Sequence, residues 1–332
     1  MDKKMQALTP DTHARYYSDL ILCCIPVFAM SVFFYGPRPL VLGLVAVVTG
    51  NLIDRLMALL RDRTYDPHEH SSECFALVLS LMMPASVPYY VVVVAVLAGD
   101  LLGKEVFGGV GCYPFHPVAV GYAIACVNWP NLLFSFPQPM TKLPLFDLSS
   151  VPLAEGADMA LRNGGLPTMG GLNLVLGNFT GAMGTTCVLV ILACGLLLAL
   201  RRELDLVSLF SFLAACAVFV WLFPRLGGVT FGWPWENLSV RFTMLRYELI
   251  ANSVIFSAVF LLSEPITRPK APLSRVIFGA GLGILTMLLN YHGSRETGVA
   301  FALLILNSLS SWLDRAVALF SARKEVRRLE DR

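Results

Sequence analysis

The sequence predicts an all-α polytopic membrane protein. It should carry about ten transmembrane helices, arranged as two inverted five-helix repeats with broken helices. Three observations lead there. Of the 332 residues, 56% are hydrophobic and only 14% are charged, where an average soluble chain is nearer a quarter charged. The apolar residues gather in blocks approaching the roughly 20 that one helical crossing of a bilayer needs. Two of these blocks are interrupted in the same way, by Pro84-Ala85-Ser86-Val87-Pro88 and by Pro265-Ile266-Thr267-Arg268-Pro269. Paired prolines break a helix by removing donors and crowding the preceding turn. Each break is followed by an apolar run and then a similar segment, VAVGYAIACVN from Val118 to Asn128 and TGVAFALLILN from Thr297 to Asn307. Pro84 to Asn128 is 44 positions and Pro265 to Asn307 is 42. Matched breaks of this kind mark a midplane site in membrane proteins built from repeats.

Taken in order, residues 1–17 form a polar lead, with no short apolar core and small-residue cleavage site, so no removable signal peptide is expected. Spans are expected over 19–35, 39–60, 74–87, 88–106 and 117–130, which makes residues 1–130 the first membrane repeat. Residues 131–171, rich in Pro, Gly and Asp, read as an extramembrane loop. The second repeat covers 172–317. Its first stretch, LNLVLGNFTGAMGTT, carries three glycines and Asn178, which suggests an irregular or re-entrant start to a span ending at Arg201-Arg202. Further spans are expected over 207–223, 247–263, 273–290 and 297–313, before a charged tail, 318–332. Trp233 and Trp235 suit an interfacial belt.

Threading ten spans with both termini in the cytoplasm leaves 18 of the 25 Lys and Arg inside, as the positive-inside rule asks. The halves then run in opposite directions, the first break faces out and the second in, and the central loop lies outside. The expected location is a plasma membrane crossed many times.

Few residues look chemically active. An ionisable side chain within a span is a functional candidate, so Asp100 and Lys104 stand out. They are four apart and could pair on one helix face, or Lys104 could snorkel to the interface. Ser86 and Thr267 sit at the breaks, where they can cap freed backbone or line a polar path. Glu264 is the carboxylate best placed to meet a sodium ion or proton; as a plain solvated charge it would serve a helix N-terminus. His116, beside the glycines of GGVGCYPFHP, titrates near neutral pH. With Pro84, Pro88, Asn178 and Pro265 these make up the candidate ion or substrate path. His68-Glu69-His70 lacks a third ligand and is expected to be a solvated loop, not a metal site. The eight cysteines are scattered and form no Cys-x-x-Cys.

The run KEVFGGVGCYPFHPVAVGYA resembles the Lys-Gln-x-Phe-Gly-Gly-x-Gly-x-Asn-x-Phe-Asn-Pro-Ala stretch of a family of redox-driven ion pumps. The family comprises the D subunit of the Rnf electron transport complex and the B subunit of the sodium-pumping NADH:quinone oxidoreductase. GNFTGAMGTT, SEPITRP and GVAFALLILNSLSSWLD are similar to further motifs of that family, in the same order, so the resemblance spans most of residues 74–315. It implies a fold related to urea transporters, partners among the other subunits of a membrane electron transport complex, sodium or protons as the coupling ion, and contact with membrane lipids but with no nucleic acid.

The family also implies a flavin mononucleotide esterified to a threonine in Ser-Gly-Ala-Thr-Pro-Leu. The matching stretch here is Asp147-Leu148-Ser149-Ser150-Val151-Pro152-Leu153, and the acceptor position is Val151, which has no hydroxyl. Covalent FMN is therefore not expected, Ser149 or Ser150 being acceptors only for a modifying enzyme that tolerates a shift. A flavin, FMN or riboflavin, would have to be held without a covalent bond. His116 for Asn, Glu264 for Asp and Thr185 for Glu are further departures. The leading expectation is a membrane subunit of a redox-driven ion-translocating complex, with no catalytic residues of its own. The alternative is a stand-alone channel or transporter for a small solute on the same scaffold, without redox chemistry.

Overall fold

The computed structural model describes residues 10–62, 69–149, 151–162, 170–225, 233, 235–293 and 298–330. It is mostly helical, with one two-stranded ribbon in which β1 (Phe136–Pro137) pairs antiparallel with β2 (Leu153–Ala154). Helices α1 (Pro10–Tyr35) and α2 (Arg38–Leu60) come first, and α3 (Ser71–Leu81) and α4 (Tyr89–Ala98) flank the first proline break. Helix α5 (Pro117–Asn128) follows, then a single turn, α6 (Pro130–Leu133). The central loop holds α7 (Ala157–Arg162), and α8 (Gly171–Leu176) leads into the second half. There α9 (Val188–Leu200), α10 (Leu206–Leu222), α11 (Leu238–Ala251) and α12 (Val254–Phe260) precede the second break. Helices α13 (Pro272–His292) and α14 (Gly298–Glu330) end the chain.

Among the described residues, four helical stretches are long and apolar enough to cross a bilayer: Ala14–Tyr35, Arg38–Leu60, Pro272–His292 and Gly298–Arg323. Their exposed faces carry Leu22, Phe33, Leu44, Leu52, Ile284 and Ile305, side chains suited to lipid and not to water. Other apolar helices are shorter, Ser71–Leu81, Pro117–Asn128, Val188–Leu200 and Leu206–Leu222, and the first of these is cut short by a break. The span expected over 74–87 is helical only to Leu81, and the chain then turns through 82–88, where Val87 N–H donates to Pro84 O at 3.1 Å. The span expected over 247–263 is divided a second time, at Asn252-Ser253, where Ser253 takes a positive φ of 56°. No proline or glycine announces that division. The irregular start expected near Asn178 is present: α8 ends at Gly177, φ 86°, and regular helix resumes only at Val188.

Close helix packing depends on glycine where a Cβ would strike backbone. One added at Gly99 would lie 2.7 Å from Pro117 O, so α4 and α5 can meet only without it. Gly283 has the same role between α13 and α10, 2.7 Å from Phe212 O. Small residues that let backbones approach are how membrane helices associate without a water-driven hydrophobic effect.

Candidate ion-path cluster

The second break builds a densely bonded polar site. After α12 the chain leaves helical geometry at Ser263-Glu264-Pro265, and the Glu264 side chain folds back over the turn. Its Oε2 accepts from Thr267 N–H at 2.7 Å, Ile266 N–H at 3.2 Å and the Thr267 hydroxyl at 2.7 Å. Its Oε1 accepts from the Tyr113 hydroxyl at 2.7 Å and the Tyr17 hydroxyl at 3.2 Å, and the two phenols lie 2.8 Å apart. Glu264 is only 1% exposed. It is a buried anchor for three separate segments, not a solvated helix-end charge. Thr267 spends its hydroxyl on this carboxylate and not on a freed carbonyl. Five donors thus converge on one carboxyl group, and its lone pairs are already engaged in this arrangement.

His116 lies in the same pocket, fully buried at the start of α5, with no hydrogen-bond partner at Nδ1 among the described residues. Phe75 of α3 is the shared wall: its ring meets Tyr17 at 5.5 Å, Tyr113 at 6.1 Å and His116 at 5.6 Å between centroids, all edge-on. Glu264, Thr267 and His116, picked out from separate parts of the sequence, are thus brought together. Sequence reasoning misses Tyr17 and Tyr113. Their partner lies 247 and 151 positions away, and no local pattern reports that.

The first break is satisfied differently. Arg38, buried at the start of α2, donates from Nε to Ala85 O at 2.9 Å and from Nη2 to Val87 O at 3.0 Å. Its Nη1 donates to Pro144 O at 3.2 Å and to Leu145 O, and the guanidinium stacks over Tyr89, 4.8 Å from the ring centre. One side chain therefore satisfies two of the carbonyls between Pro84 and Pro88 and holds the central loop against them. Ser86 donates to Ser135 O at 2.9 Å, tying the break to the same loop. The second half completes the end of α3, since Met183 N–H donates to Met83 O at 3.0 Å and Gly184 N–H to Leu81 O at 2.9 Å. Asn178 lies apart and exposed, its N–H closing the turn onto Asn173 O.

Asp100 and Lys104 do not form the expected hydrogen-bonded pair. From Gly99 to Lys104 the helix widens into a π-turn, which shifts a four-residue spacing off one face. Lys104 does not snorkel either; it is 1% exposed. Its Nζ sits among Ser72 Oγ at 2.8 Å, Ser71 Oγ at 2.9 Å, Glu69 Oε1 at 3.0 Å and Asp54 Oδ1 at 3.1 Å. Asp100 is buried beside them, and its Oδ2 has no hydrogen-bond partner among the described residues.

The model of the NQR2, RnfD, RnfE family matches residues 2–320. The chain belongs to this family. Its relatives include proteins named as the D subunit of an ion-translocating oxidoreductase complex. Those of Haemophilus influenzae PittEE and Escherichia coli ATCC 8739 are 27% and 28% identical, over 90% and 91% of this chain and 92% and 93% of their own length. A third, from Yersinia pseudotuberculosis O:1b, is 26% identical over 91% of this chain and 93% of its own.

Against the family's covalent flavin, the loop at Val151 does not fit. Val151 is half-buried and packs on the apolar core, with its N–H donating to Leu148 O at 3.0 Å. It offers no oxygen to a phosphoester. Ser149 is exposed, its N–H donating to Asp147 Oδ1 at 2.9 Å, a bond that holds the Asp147 carboxyl below its ordinary range; Ser150 lies outside the described residues. A groove of about 740 Å³ between α1 and α2 is lined by Ile21, Phe28, Leu40, Leu44 and other apolar side chains. It could take a lipid chain but gives a flavin ring nothing to hydrogen-bond. Cys112 is exposed and the other seven thiols are buried, all free. The described residues hold no group of three or more His, Cys, Asp or Glu arranged for a metal; His68 lies outside them, and His70 contacts Glu73 at 3.1 Å.

Proposed function

We propose that this chain is an integral membrane subunit of a redox-driven ion-translocating electron transport complex, in the position that the D subunit holds in the Rnf complex. The carrying observation is the family match over residues 2–320, together with relatives so named that align over nine-tenths of the chain. Sodium or protons would be the transported ion. The other subunits would supply the electron donor and acceptor, with the chain seated in the plasma membrane and both termini cytoplasmic.

The scaffold in this reading is a ten-span inverted repeat, residues 1–130 and 172–317, about an external loop at 131–171. The packing supports it. Helix α2 lies against α3 and α4, and α10 lies against α11, α12 and α13. In the same way α1 packs on α3 and α9 on α12, while α1 meets α9 and α5 meets α14 across the two halves. The ion route would pass the Glu264 pocket, with Asp100 and Lys104 as a second polar station.

Val151 speaks for a flavin held without a covalent bond or for none, and it is the one observation that favours a solute channel without redox chemistry. Purification from native membranes through a tag on the chromosomal copy separates these readings. Co-purifying oxidoreductase subunits, with yellow colour released on denaturation, support a flavin-carrying subunit. A chain that purifies alone and colourless overturns the proposal in favour of the channel.

A further inference from the structure

A small cavity of about 20 Å³ lies where the two halves meet in mid-bundle, lined by Tyr122, Thr185, Asn252, Ser253, Ser257 and Asn290, with Met82, Val299 and Ala300 closing it. It touches the end of α3, the division between α11 and α12, and the start of α14. On this measure a single water needs roughly 10–15 Å³. Ser257 is fully buried, and its hydroxyl has no partner among the described residues, an arrangement that is unfavourable unless something bonds to it.

Existing bonds decide what the other lining groups offer. Asn290 Oδ1 accepts from Gly298 N–H at 3.0 Å, which leaves its Nδ2 as a donor. Asn252 Nδ2 donates to Glu248 Oε2, which leaves its Oδ1 as an acceptor. Thr185 donates to Ala182 O at 3.3 Å, so its oxygen keeps only acceptor capacity. The Ser257 hydroxyl can do either. These four groups thus combine one donor, two acceptors and one group of both kinds, and the Ser253 and Tyr122 side chains complete the polar lining. A bare cation wants oxygen lone pairs alone and would meet the hydrogens of Asn290. An anion would meet two acceptors. A molecule that gives and takes hydrogen bonds at once fits all four.

We propose that this cavity is a binding site for one water molecule, hydrogen-bonded to Ser257, Asn290, Asn252 and Thr185, which ties α12, α13 and the Thr185 turn together where α11 and α12 part. The water satisfies the Ser257 hydroxyl and bonds side chains on both sides of the division, Asn252 before it and Ser257 after it. The geometry here stands on the lining side chains alone, independently of the coupling ion or of any flavin.

The test is a map of the purified complex, or of the full chain, at about 2 Å, collected once in sodium buffer and once with sodium replaced by choline. Density present in both, with contacts of about 2.7–3.2 Å, supports the water. Density that vanishes without sodium, or that sits at the roughly 2.3–2.6 Å of oxygen-ligated cations, overturns it, as does an empty cavity. Ser257→Ala should keep the fold, weaken or abolish the density and lower the unfolding midpoint by about 2–4 °C. An unchanged map with Ser257→Ala would remove Ser257 from the site and overturn the assignment.

Discussion

The hydroxyl of Tyr113 donates to Glu264 Oε1 at 2.7 Å, and with it the glycine-rich loop of the first half is bonded to the broken helix of the second. Tyr17 of α1 joins at 3.2 Å, so one carboxylate holds three parts of the chain. Replacing Tyr113 by Phe removes the shorter of the two bonds to Oε1 and the phenol's hydrogen bond with Tyr17. A hydrogen bond to a charged group contributes roughly 1.5–3 kcal/mol, so Tyr113→Phe should lower the thermal unfolding midpoint in detergent, and Tyr17→Phe less. Glu264→Gln should be worse than either, because an amide presents hydrogens to donors already there. Equal midpoints for Glu264→Gln and wild type would remove Glu264 as the anchor.

Arg38 makes a sharper case. Loss of its guanidinium leaves the carbonyls of Ala85 and Val87 buried without partners, at about 1–3 kcal/mol each. Arg38→Met should therefore sharply reduce accumulation of folded protein in the membrane. Arg38→Lys should restore only part, since an ammonium cannot span two carbonyls in a fixed fork. Fluorescence-detected size exclusion of the wild type and both variants checks the order; full recovery with lysine would mean that charge alone matters.

These two sites mark what a sequence can and cannot report. Proline pairs announce broken helices, and Glu264 follows directly in the chain from a long apolar run, so both are legible. Arg38 reads as nothing more than a charge at a helix start, because its acceptors come from 47 and 49 positions away. The Asn252-Ser253 division has no breaker residue at all. Lys104 reads as a partner of Asp100 or as a side chain reaching for water, since its polar partners, Asp54, Ser71 and Ser72, stand on other helices and become neighbours only on folding. Local chemistry is visible in a sequence; satisfaction by distant groups is not.

Lys104 carries its own prediction. Four oxygens within 3.1 Å surround Nζ, a cradle shaped for a compact point charge. Lys104→Met would leave the partly buried Asp54 and Glu69 without their ammonium partner, which should destabilise the fold by less than the ~3–5 kcal/mol of a fully buried pair. Lys104→Arg should not rescue, because a planar fork does not fit where an ammonium is bonded from several sides. Expression and unfolding midpoints of both variants, compared with Arg61→Met at the half-exposed Arg61–Glu105 pair, would settle it. Rescue by arginine would contradict the cradle.

Two glycines of α13, two residues apart, separate packing from propensity. A Cβ on Gly283 would come within 2.7 Å of Phe212 O on α10, while one on Gly281 meets only Leu306 Cδ1 at 3.4 Å. Gly281→Ala should be neutral or slightly stabilising, since alanine is the better helix former by up to about 1 kcal/mol. Gly283→Ala should be destabilising by about 1–3 kcal/mol, the range for forcing extra volume into a packed interface. Unfolding midpoints of the single variants decide it, and a tolerated Gly283→Ala would mean that α10 and α13 do not pack this closely.

Val151→Thr tests the loop as a latent attachment site. The substitution recreates a hydroxyl two residues before Leu153, in a surface loop where the added polarity is partly solvated. Co-expressed with the flavin transferase that modifies a family member carrying the acceptor threonine, the variant should gain in-gel flavin fluorescence that survives denaturation. The wild-type chain should stay dark under the same conditions. A dark variant beside a fluorescent positive control would assign the block to Leu148-Ser149-Ser150, where the family's pattern has Ser-Gly-Ala. A fluorescent wild type would instead place the bond on Ser149 or Ser150. Peptide mapping would then separate those two, because Ser149 is exposed and already folded into a turn by Asp147. In each case the outcome tells whether one missing hydroxyl, and not a remodelled membrane domain, is what divides this chain from the covalent flavoproteins of its family.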